Sequence, residues 1–327
     1  MALLCATTLA FAQTSTQTAM LKHGDEITTF YGADAFINAY TAATNADIIT
    51  LSSGTFNPPA SMGKAITLRG AGCVSDAELN TLPTIIAGDF NTYNPVSSDH
   101  YYLTVEGIFF DGIITVNGQT APVFIRCNIN EIKWNSEGSS AGMYDAEFIN
   151  CRIRWFREDN FHNTTFRNCA VFDCRSELTN QATNTIQAYN SYIWLNSAQD
   201  NLSAYNSIIG GAGMYTNSVA YNCISWGSIF DGCSHHNCWV FDQMLDVFET
   251  FDGVYFHYVW ETEPLILKGE VAAQCPGLDG TEVGIHGGNM PYSARPTYMT
   301  TYRTTVDQHS NPDGKLNVHI EVIDGNK

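Results

Sequence analysis

The chain is poor in basic residues. Its 327 residues include 15 lysines and arginines against 33 aspartates and glutamates, which gives a formal net charge of −18. Between residues 176 and 267 there is no lysine or arginine at all. Nucleic-acid affinity depends on neutralising phosphates with basic side chains, so this charge balance argues against it. We therefore expect no nucleic-acid partner.

Long apolar runs are also missing. A membrane-spanning helix needs about 20 consecutive apolar residues, and no segment of the chain supplies them. The chain is therefore not expected to span a membrane. Residues 2–12 form a short apolar run that ends in Ala10-Phe11-Ala12, typical of a secretory signal peptide and its cleavage site. This predicts a signal peptide over residues 1–12 and a chain exported to the medium, the bacterial cell surface or the periplasm.

An even set of cysteines is lacking as well. Without Cys5, which lies in the predicted signal peptide, nine cysteines remain, so they cannot all pair. Several of them recur at one position of a repeat. Because cysteine packs in protein interiors as a small hydrophobic residue, we expect buried, reduced thiols in place of a disulfide framework.

Six segments share one pattern centred on an asparagine that ends a short alternating stretch. These asparagines are Asn150, Asn168, Asn190, Asn206, Asn222 and Asn237, spaced by 18, 22, 16, 16 and 15 residues. Looser copies occur at 66–70, 105–109 and 125–129. A short unit repeated in this way indicates a solenoid, and the period of two indicates strands. The sequence predicts an all-β fold, a single-stranded right-handed parallel β-helix over residues 47–275.

Within each unit the alternation assigns side chains to faces. In the fourth unit Ser207 and Ile209 point inward, while Tyr205 and Ile208 point outward. Asn206 turns the chain, because asparagine tolerates the left-handed backbone conformation. We expect the side-chain amides of these asparagines to stack, each satisfying the next. The same register places Cys151, Cys169, Cys223 and Cys238 in one inward column.

The two ends of the chain carry different patterns. Within the N-terminal segment 13–46, apolar residues recur at helical spacing over residues 34–44, which predicts a short helix that caps the first turn. Asp242 is the expected N-cap of a second helix that stops at Gly253. In the C-terminal module, residues 276–327, two strands over 298–306 and 316–322 predict a β-hairpin.

Segments at both ends support a resemblance to a known family. Residues 33–36 and 47–56, together with 278–288 followed by Pro291-Tyr292, resemble the capping helix, first strand and terminal module of secreted proteins of the pectate-lyase-like superfamily, Bacteroidetes type. The resemblance covers roughly residues 30–325 and implies the right-handed parallel β-helix fold. That superfamily includes lyases, hydrolases, adhesins and proteins without an assigned activity, so the resemblance implies no single reaction.

The catalytic motifs of that superfamily are not recognisable here. The chain has no Asp-Asp pair, its Gly284-Ile285-His286-Gly287 is an interrupted form of Gly-His-Gly, and Arg152-Ile153-Arg154 only partly matches Arg-x-Lys. No acidic cluster of the calcium-dependent lyases is found either. Whether the protein is an enzyme stays open at this point.

Metal binding has only weak support. Cys233, His235, His236 and Cys238 are potential ligands, but neighbouring residues of a strand face opposite ways and cannot converge easily. Asp307, Asn311 and Asp313 are a weak calcium alternative in what is first a turn. We therefore predict no metal site and no cofactor.

Basic residues are concentrated in one region. Seven of the 15 lie between residues 126 and 175: Arg126, Lys133, Arg152, Arg154, Arg157, Arg167 and Arg175. Such a region suits carboxylate or sulfate groups. Arg152 and Arg154 alternate with inward residues, so both are expected to face solvent. The alternative is that these arginines pair with nearby acids, namely Glu147, Glu158, Asp159 and Glu177.

Aromatic residues dominate the next part of the chain, with 16 of them in residues 189–260. The register places Tyr189, Tyr205 and Tyr221 in one outward column, and a second column includes Trp194 and Trp226. Aromatic faces at this spacing suit stacking on sugar rings. The alternative is that loops or the segment 242–260 cover them as a satellite core.

Together these patterns predict a secreted, monomeric β-helix protein that binds a polysaccharide or other glycan. The expected binding residues are Tyr189, Tyr205, Tyr221, Trp194, Trp226, Arg152 and Arg154. One alternative is a lyase or hydrolase for acidic polysaccharides, with Arg152 or Arg154 stabilising a uronate and Glu147, Glu158 or Asp159 as acid or base. Another is a structural or adhesive surface protein.

Overall fold

Two long parallel sheets coil together into a right-handed β-helix of about nine turns in a computed structural model, as the repeat predicts. The structure describes residues 17–78, 81–93, 102–134, 142–157, 160–175, 184–250, 260–297, 299–306 and 318–324. Most turns contribute one strand to sheet A and one to sheet B, and the core lies between the two sheets.

Sheet A has twelve strands, of which the first two are antiparallel and the rest parallel. They are β1 (Thr18–His23), β2 (Glu26–Tyr31), β3 (Ile48–Leu51), β5 (Thr67–Arg69), β8 (Thr104–Glu106), β10 (Val123–Ile125), β13 (Glu147–Ile149), β16 (Thr164–Arg167), β18 (Ile186–Tyr189), β20 (Leu202–Tyr205), β22 (Val219–Tyr221) and β24 (Ser234–His236).

Sheet B has eleven parallel strands. They are β4 (Gly54–Phe56), β6 (Thr84–Ile86), β7 (Phe90–Tyr93), β9 (Phe109–Asn117), β11 (Asn128–Trp134), β14 (Arg152–Arg157), β17 (Ala170–Arg175), β19 (Tyr192–Leu195), β21 (Ile208–Gly211), β23 (Ile224–Trp226) and β25 (Trp239–Phe241). A short third sheet pairs β12 (Met143–Tyr144) with β15 (Phe161–His162).

The N-terminal end of the β-helix is closed by a helix and a hairpin. Helix α1 (Ala35–Ala42) confirms the predicted cap and buries Phe36 and Tyr40 against the first strands. The hairpin of β1 and β2 was not predicted. Its two-residue turn contains Gly24, whose φ of 58° is typical of tight hairpins.

The inward cysteine column forms as expected. Cys151, Cys169 and Cys223 are buried, Cys238 is half-buried, and all nine cysteines in the described part of the chain are free thiols. Ser191 and Ser207 occupy the same column. Backbone N–H groups donate to the atom one turn on, for example Cys151 N to Cys169 Sγ at 3.3 Å and Cys169 N to Ser191 Oγ at 3.2 Å.

Beyond β25 the described chain leaves the repeating turns. The last parallel strand ends at Phe241, earlier than the boundary at 275 expected from the sequence. In place of the predicted helix after Asp242 there is a 3-10 helix, Met244–Asp246. Residues 260–297, here called the strap, contain helix α2 (Gly269–Gln274). The predicted C-terminal hairpin is confirmed as β26 (Met299–Val306) and β27 (Val318–Asp324).

The strap and residues 247–248 cover the outer face of sheet B. They form a second apolar core with outward residues of that sheet, here called the outer core. Its fully buried members are Ala170, Phe172, Tyr192, Ile208, Ile224, Val247, Phe248, Trp260, Leu265, Leu267, Val271, Cys275, Val283 and Ile285. Sheet B is therefore buried on both faces along these turns.

Candidate functional site

The repeat asparagines occupy the corner between sheet A and sheet B. All six, from Asn150 to Asn237, have φ between 47° and 54°, as the repeat predicts. Arg126 (φ 51°) and Gly107 (φ 68°) occupy the same corner in earlier turns. The left-handed conformation turns the chain so sharply that only two residues separate the strands of the two sheets, for example Asn206 and Ser207 between β20 and β21.

Four of the six side-chain amides at this corner bind the strap, and the predicted stacking of these amides on one another is not observed. Each contact joins an asparagine to a backbone group of the strap. Two amide oxygens accept from the strap: Asn150 Oδ1 from Ser293 N–H (2.8 Å) and Asn206 Oδ1 from Leu278 N–H (2.9 Å). Three amide nitrogens donate to it: Asn150 Nδ2 to Met290 O (3.5 Å), Asn168 Nδ2 to Ile285 O (3.0 Å) and Gly287 O (2.7 Å), and Asn222 Nδ2 to Pro276 O (3.4 Å). The strap therefore runs back along the corner toward earlier turns.

Amide stacking occurs instead at a second corner, ahead of the strands of sheet A. Asp145, Asn163, Asn201 and Asn217 have φ between 54° and 57° there. Asn163 Nδ2 donates to Asp145 Oδ1 at 2.6 Å, and Asn217 Nδ2 donates to Asn201 Oδ1 at 3.2 Å. The sequence signal was a second set of asparagines, and Asn201 and Asn217 repeat the 16-residue spacing.

The outer core buries one predicted binding residue, Arg152, and leaves two others, Trp194 and Trp226, only partly accessible to solvent. Arg152 is only 4% exposed; its Nη1 donates to Trp260 O at 3.0 Å, and its guanidinium lies 4.7 Å from the centre of the Tyr292 ring. Trp194 and Trp226 are half-buried and pack against the outer core. The expectation that Arg152 faces solvent is therefore wrong, because the outward positions that follow it in register, from Ala170 to Ile224, belong to the outer core under the strap.

The remaining basic residues of this region lie on both sheets, and most are paired. Arg154 is half-buried and donates to Asn130 Oδ1 at 3.2 Å. Arg167 lies on sheet A with its Nε 2.6 Å from Glu147 Oε1. Arg157 and Arg175 pair with Glu131 (2.7 Å) and Asp173 (2.5 Å). Lys133, Arg157 and Arg175 are register partners on adjacent strands of sheet B. Arg167 lies on sheet A, so the basic residues form a short row on one sheet and an isolated arginine on the other.

The candidate catalytic residues are not brought together in the described structure. Glu147 lies on the outer face of sheet A, whereas Arg152 and Arg154 lie on sheet B. Glu158 and Asp159 lie outside the described residues. A glycosidase needs two carboxyl groups flanking one bond, and the residues placed here do not supply that arrangement.

The predicted tyrosine column is formed on the outer face of sheet A. Tyr189, Tyr205 and Tyr221 pair in register on adjacent strands. Ring centres are 5.1 and 5.5 Å apart, and the ring planes are parallel within 8°. The column continues to Arg167 at one end, 4.7 Å from the Tyr189 ring centre, and to His236 at the other, 4.8 Å from the Tyr221 ring centre.

The rings of the tyrosine column are half-buried. Parallel rings at this spacing overlap in an offset stack, so a sugar ring cannot lie centred on a face of Tyr205 without displacing a neighbour. What the column offers a ligand is its outer border of ring edges and phenol groups. The Tyr189 hydroxyl donates to Gln187 Oε1 at 2.9 Å. Burial, and then the neighbouring phenols, raise the pKa of Tyr205, so this phenol is uncharged at neutral pH.

A groove of about 230 Å³ adjoins the Arg167 end of the column. Its walls are contributed by the column, the asparagine corner and the strap: Arg167, Asn168, Tyr189, Asn190, Asp279, Gly288, Asn289 and Met290. Hydrogen bonds from Thr281 lower the pKa of Asp279, which is therefore ionised at neutral pH. The groove combines amide, carboxylate, guanidinium and aromatic groups, the mixture found in sites for small polar ligands.

Sequence reasoning missed Arg167 as the cation of this column and named Arg152 and Arg154 instead. The signal was present, because Arg167 immediately precedes Asn168 just as Tyr189 precedes Asn190. It also missed Asp279 and Asn289, which reach the groove from the strap across a large sequence separation.

Metal ligands do not come together in the part of the chain that the structure describes. The possible calcium residues Asp307, Asn311 and Asp313 lie outside that part. None of the described helices is long and apolar enough to cross a membrane. No family model, curated protein or solved structure gives a match to the chain, so the pectate-lyase-like and Bacteroidetes assignment stays a prediction.

Proposed function

We propose that the protein binds a polysaccharide or other glycan chain along the tyrosine column, outside the cell or at its surface. The observation that carries this proposal is a row of three parallel, half-buried tyrosines that ends at a polar groove. A chain ligand that lies along the row meets one phenol per turn, about every 5 Å. Export of the protein rests on the apolar run at residues 2–12.

The chemistry of the surface suits sugar hydroxyls. Phenol and amide groups both donate and accept hydrogen bonds, and ring edges offer apolar contact to sugar C–H groups. The groove adds Asp279 and Asn289 at the end of the row. Because Glu147 pairs with Arg167, the positive charge at this end is partly offset, so neutral glycans fit as well as acidic ones.

Binding without an assigned reaction is the function that this arrangement supports best. The alternative of a lyase or hydrolase for acidic polysaccharides relies on Glu147 acting with Arg152 or Arg154. Glu147 lies on sheet A, whereas both arginines lie on sheet B. The enzyme alternative therefore has less support than binding.

The experiment compares Tyr205→Ala and Tyr205→Phe with the wild type on a glycan array, with reducing-end detection to reveal cleavage. Tyr205→Ala should weaken retention at least about fivefold, which corresponds to roughly 1 kcal/mol for a lost aromatic contact. Tyr205→Phe keeps the stack and removes one hydroxyl, so it separates hydrogen bonding from ring contact.

Tyr144→Ala provides a matched control. Tyr144 is an exposed tyrosine stacked on His162 at 4.6 Å, but it belongs to the third sheet. This variant should retain glycan binding. If Tyr205→Ala lowers the unfolding midpoint and leaves glycan retention unchanged, the column is structural and the proposal fails. Release of reducing ends by the wild type would favour the enzyme alternative.

A further inference from the structure

The last turn of the β-helix brings two cysteines together. Cys223 and Cys238 are consecutive members of the inward column, because Tyr221 pairs with His236 and Ile224 pairs with Trp239. Neighbouring strands are about 4.8 Å apart, which falls within the Cα separations of roughly 4.4–6.8 Å that disulfides adopt. The backbone N–H of Cys223 donates to Cys238 Sγ at 3.4 Å.

The two thiols differ in access to solvent. Cys223 is fully buried, whereas Cys238 is half-buried, since β24 and β25 are the end strands of their sheets. Cys151 and Cys169 have the same relation one turn apart, with a 3.3 Å contact from Cys151 N to Cys169 Sγ, but both are fully buried between flanking turns. Within the inward column, the pair at the end combines proximity with access; Cys233, which is also half-buried, lies near Cys238 but outside the column.

The electrostatic surroundings give the two thiols different roles. A hydrogen bond from the Cys223 thiol, aided by backbone hydrogen bonds and the nearby His235, lowers the pKa of Cys238 to about 7 against the opposing effect of burial. Burial raises the pKa of Cys223 well above its ordinary value. At neutral pH about half of Cys238 is therefore the thiolate, the form that attacks electrophiles, while Cys223 keeps its proton.

We propose that Cys238 and Cys223 form a peroxide-reactive thiol pair, with Cys238 as the attacking thiol and Cys223 as the resolving thiol. The Cys238 sulfur attacks one oxygen of hydrogen peroxide, the O–O bond breaks, and a sulfenic acid and one water result. The Cys223 sulfur then attacks Cys238 Sγ, forms the S–S bond and releases a second water. Two thiols lose two electrons and two protons, and one peroxide is reduced to two waters.

The test treats the reduced, full-length protein with hydrogen peroxide under native conditions and maps disulfides by peptide mass spectrometry without reductant. We expect a linked peptide containing Cys223 and Cys238 and a thiol content that falls by two. Cys151 and Cys169 should stay reduced. A link from Cys238 to the half-buried Cys233, or a Cys238 that does not react, would overturn the assignment.

Serine variants separate the two roles. Ser191 and Ser207 already occupy this column, so Cys223→Ser and Cys238→Ser should fold, which near-UV circular dichroism would verify. Cys223→Ser should abolish the disulfide and let dimedone trap a sulfenic acid at Cys238. Cys238→Ser should abolish the reaction. Cys169→Ser is the matched control in the same column and should leave formation of the Cys223–Cys238 disulfide unchanged. Failure of the Cys169→Ser variant to form this disulfide would contradict the proposal.

The pH dependence supplies an independent readout. Alkylation of Cys238 should rise with pH through a midpoint near 7, because only the thiolate reacts. Cys223→Ala removes the thiol that donates to Cys238, so this midpoint should move to higher pH. An unchanged midpoint would show that Cys223 does not act on Cys238.

Discussion

The corner asparagines meet two requirements at the residue scale that few side chains satisfy together. Each adopts a positive φ, and several also bind the strap through the amide. Glycine meets only the first requirement. Leucine or alanine meets neither, because a Cβ strains the left-handed conformation and an apolar side chain leaves strap carbonyls without donors.

Asn168 allows the two requirements to be measured separately. Asn168→Gly keeps the backbone conformation and removes the bonds to Ile285 O and Gly287 O, so it should cost about 2 kcal/mol of unfolding free energy. Asn168→Ala should cost about 1 kcal/mol more, because alanine also strains the positive φ. Urea denaturation of both variants measures the difference, and equal losses would show that the backbone conformation contributes nothing.

Gly210 shows a different constraint, because its neighbours leave no space for a side chain. A Cβ at this position would overlap the Trp226 indole and come within 3.0 Å of Trp194. Gly210→Ala should therefore lower stability by about 1–3 kcal/mol, the typical cost of overpacking. Gly269→Ala is the control, because a Cβ there meets open space at the start of a helix; it should be neutral or stabilising by up to about 1 kcal/mol. Thermal denaturation compares the two.

At the scale of elements, the strap determines how the outer face of sheet B is buried. Its apolar residues complete the outer core, and its C-terminal part is attached to early turns by Arg295, which pairs with Asp76 and Glu78, and by Thr297, which donates to Glu106. Apolar burial is worth far more than exposed ion pairs. We therefore expect the strap to be held mainly by its buried residues.

Two strap variants test this ranking. Trp260 is 3% exposed, so Trp260→Ala should cost about 3–5 kcal/mol. Arg295→Ala removes ion pairs at a partly exposed site and should cost less than about 1 kcal/mol. Denaturant unfolding of each variant gives both values. Comparable losses would mean that the ion pairs, and not the outer core, fix the strap.

The elements differ in how well the sequence predicts them. The strands, the capping helix and the positive-φ corner follow from local alternation and from the conformational tolerance of asparagine. Burial of both faces of sheet B had a local signal too, since pairs such as Tyr192-Ile193 and Ile208-Ile209 are apolar at outward and inward positions alike. The path of the strap had none, because its contacts join residues far apart in sequence, such as Arg295 and Asp76.

The whole molecule departs from a simple stack of turns because of the strap. In a plain solenoid each repeat contacts only its neighbours, so stability is a sum of local terms. Here the strap contacts the turn of Asn222 through Pro276 and the turn of Glu106 through Thr297. Distant turns therefore share one stabilising element.

This sharing predicts a single cooperative transition. Unfolding followed by tryptophan fluorescence and by hydrogen exchange of the individual turns should give coincident midpoints for the wild type. In Trp260→Ala the strap is weakened, so the late and early turns should separate into distinct transitions. Separate transitions in the wild type would show that the strap does not couple the turns.

The position of the strap in the chain also sets an order of events during synthesis. Turns can form one after another as the chain emerges, but the apolar outward residues of sheet B stay uncovered until residues 260–297 have been made. Each new turn thus enlarges an exposed apolar surface that is buried only when the strap packs against it. A chain that terminates before Trp260 would keep this apolar surface exposed. Because exposed apolar surfaces associate with one another, we expect such truncated chains to aggregate.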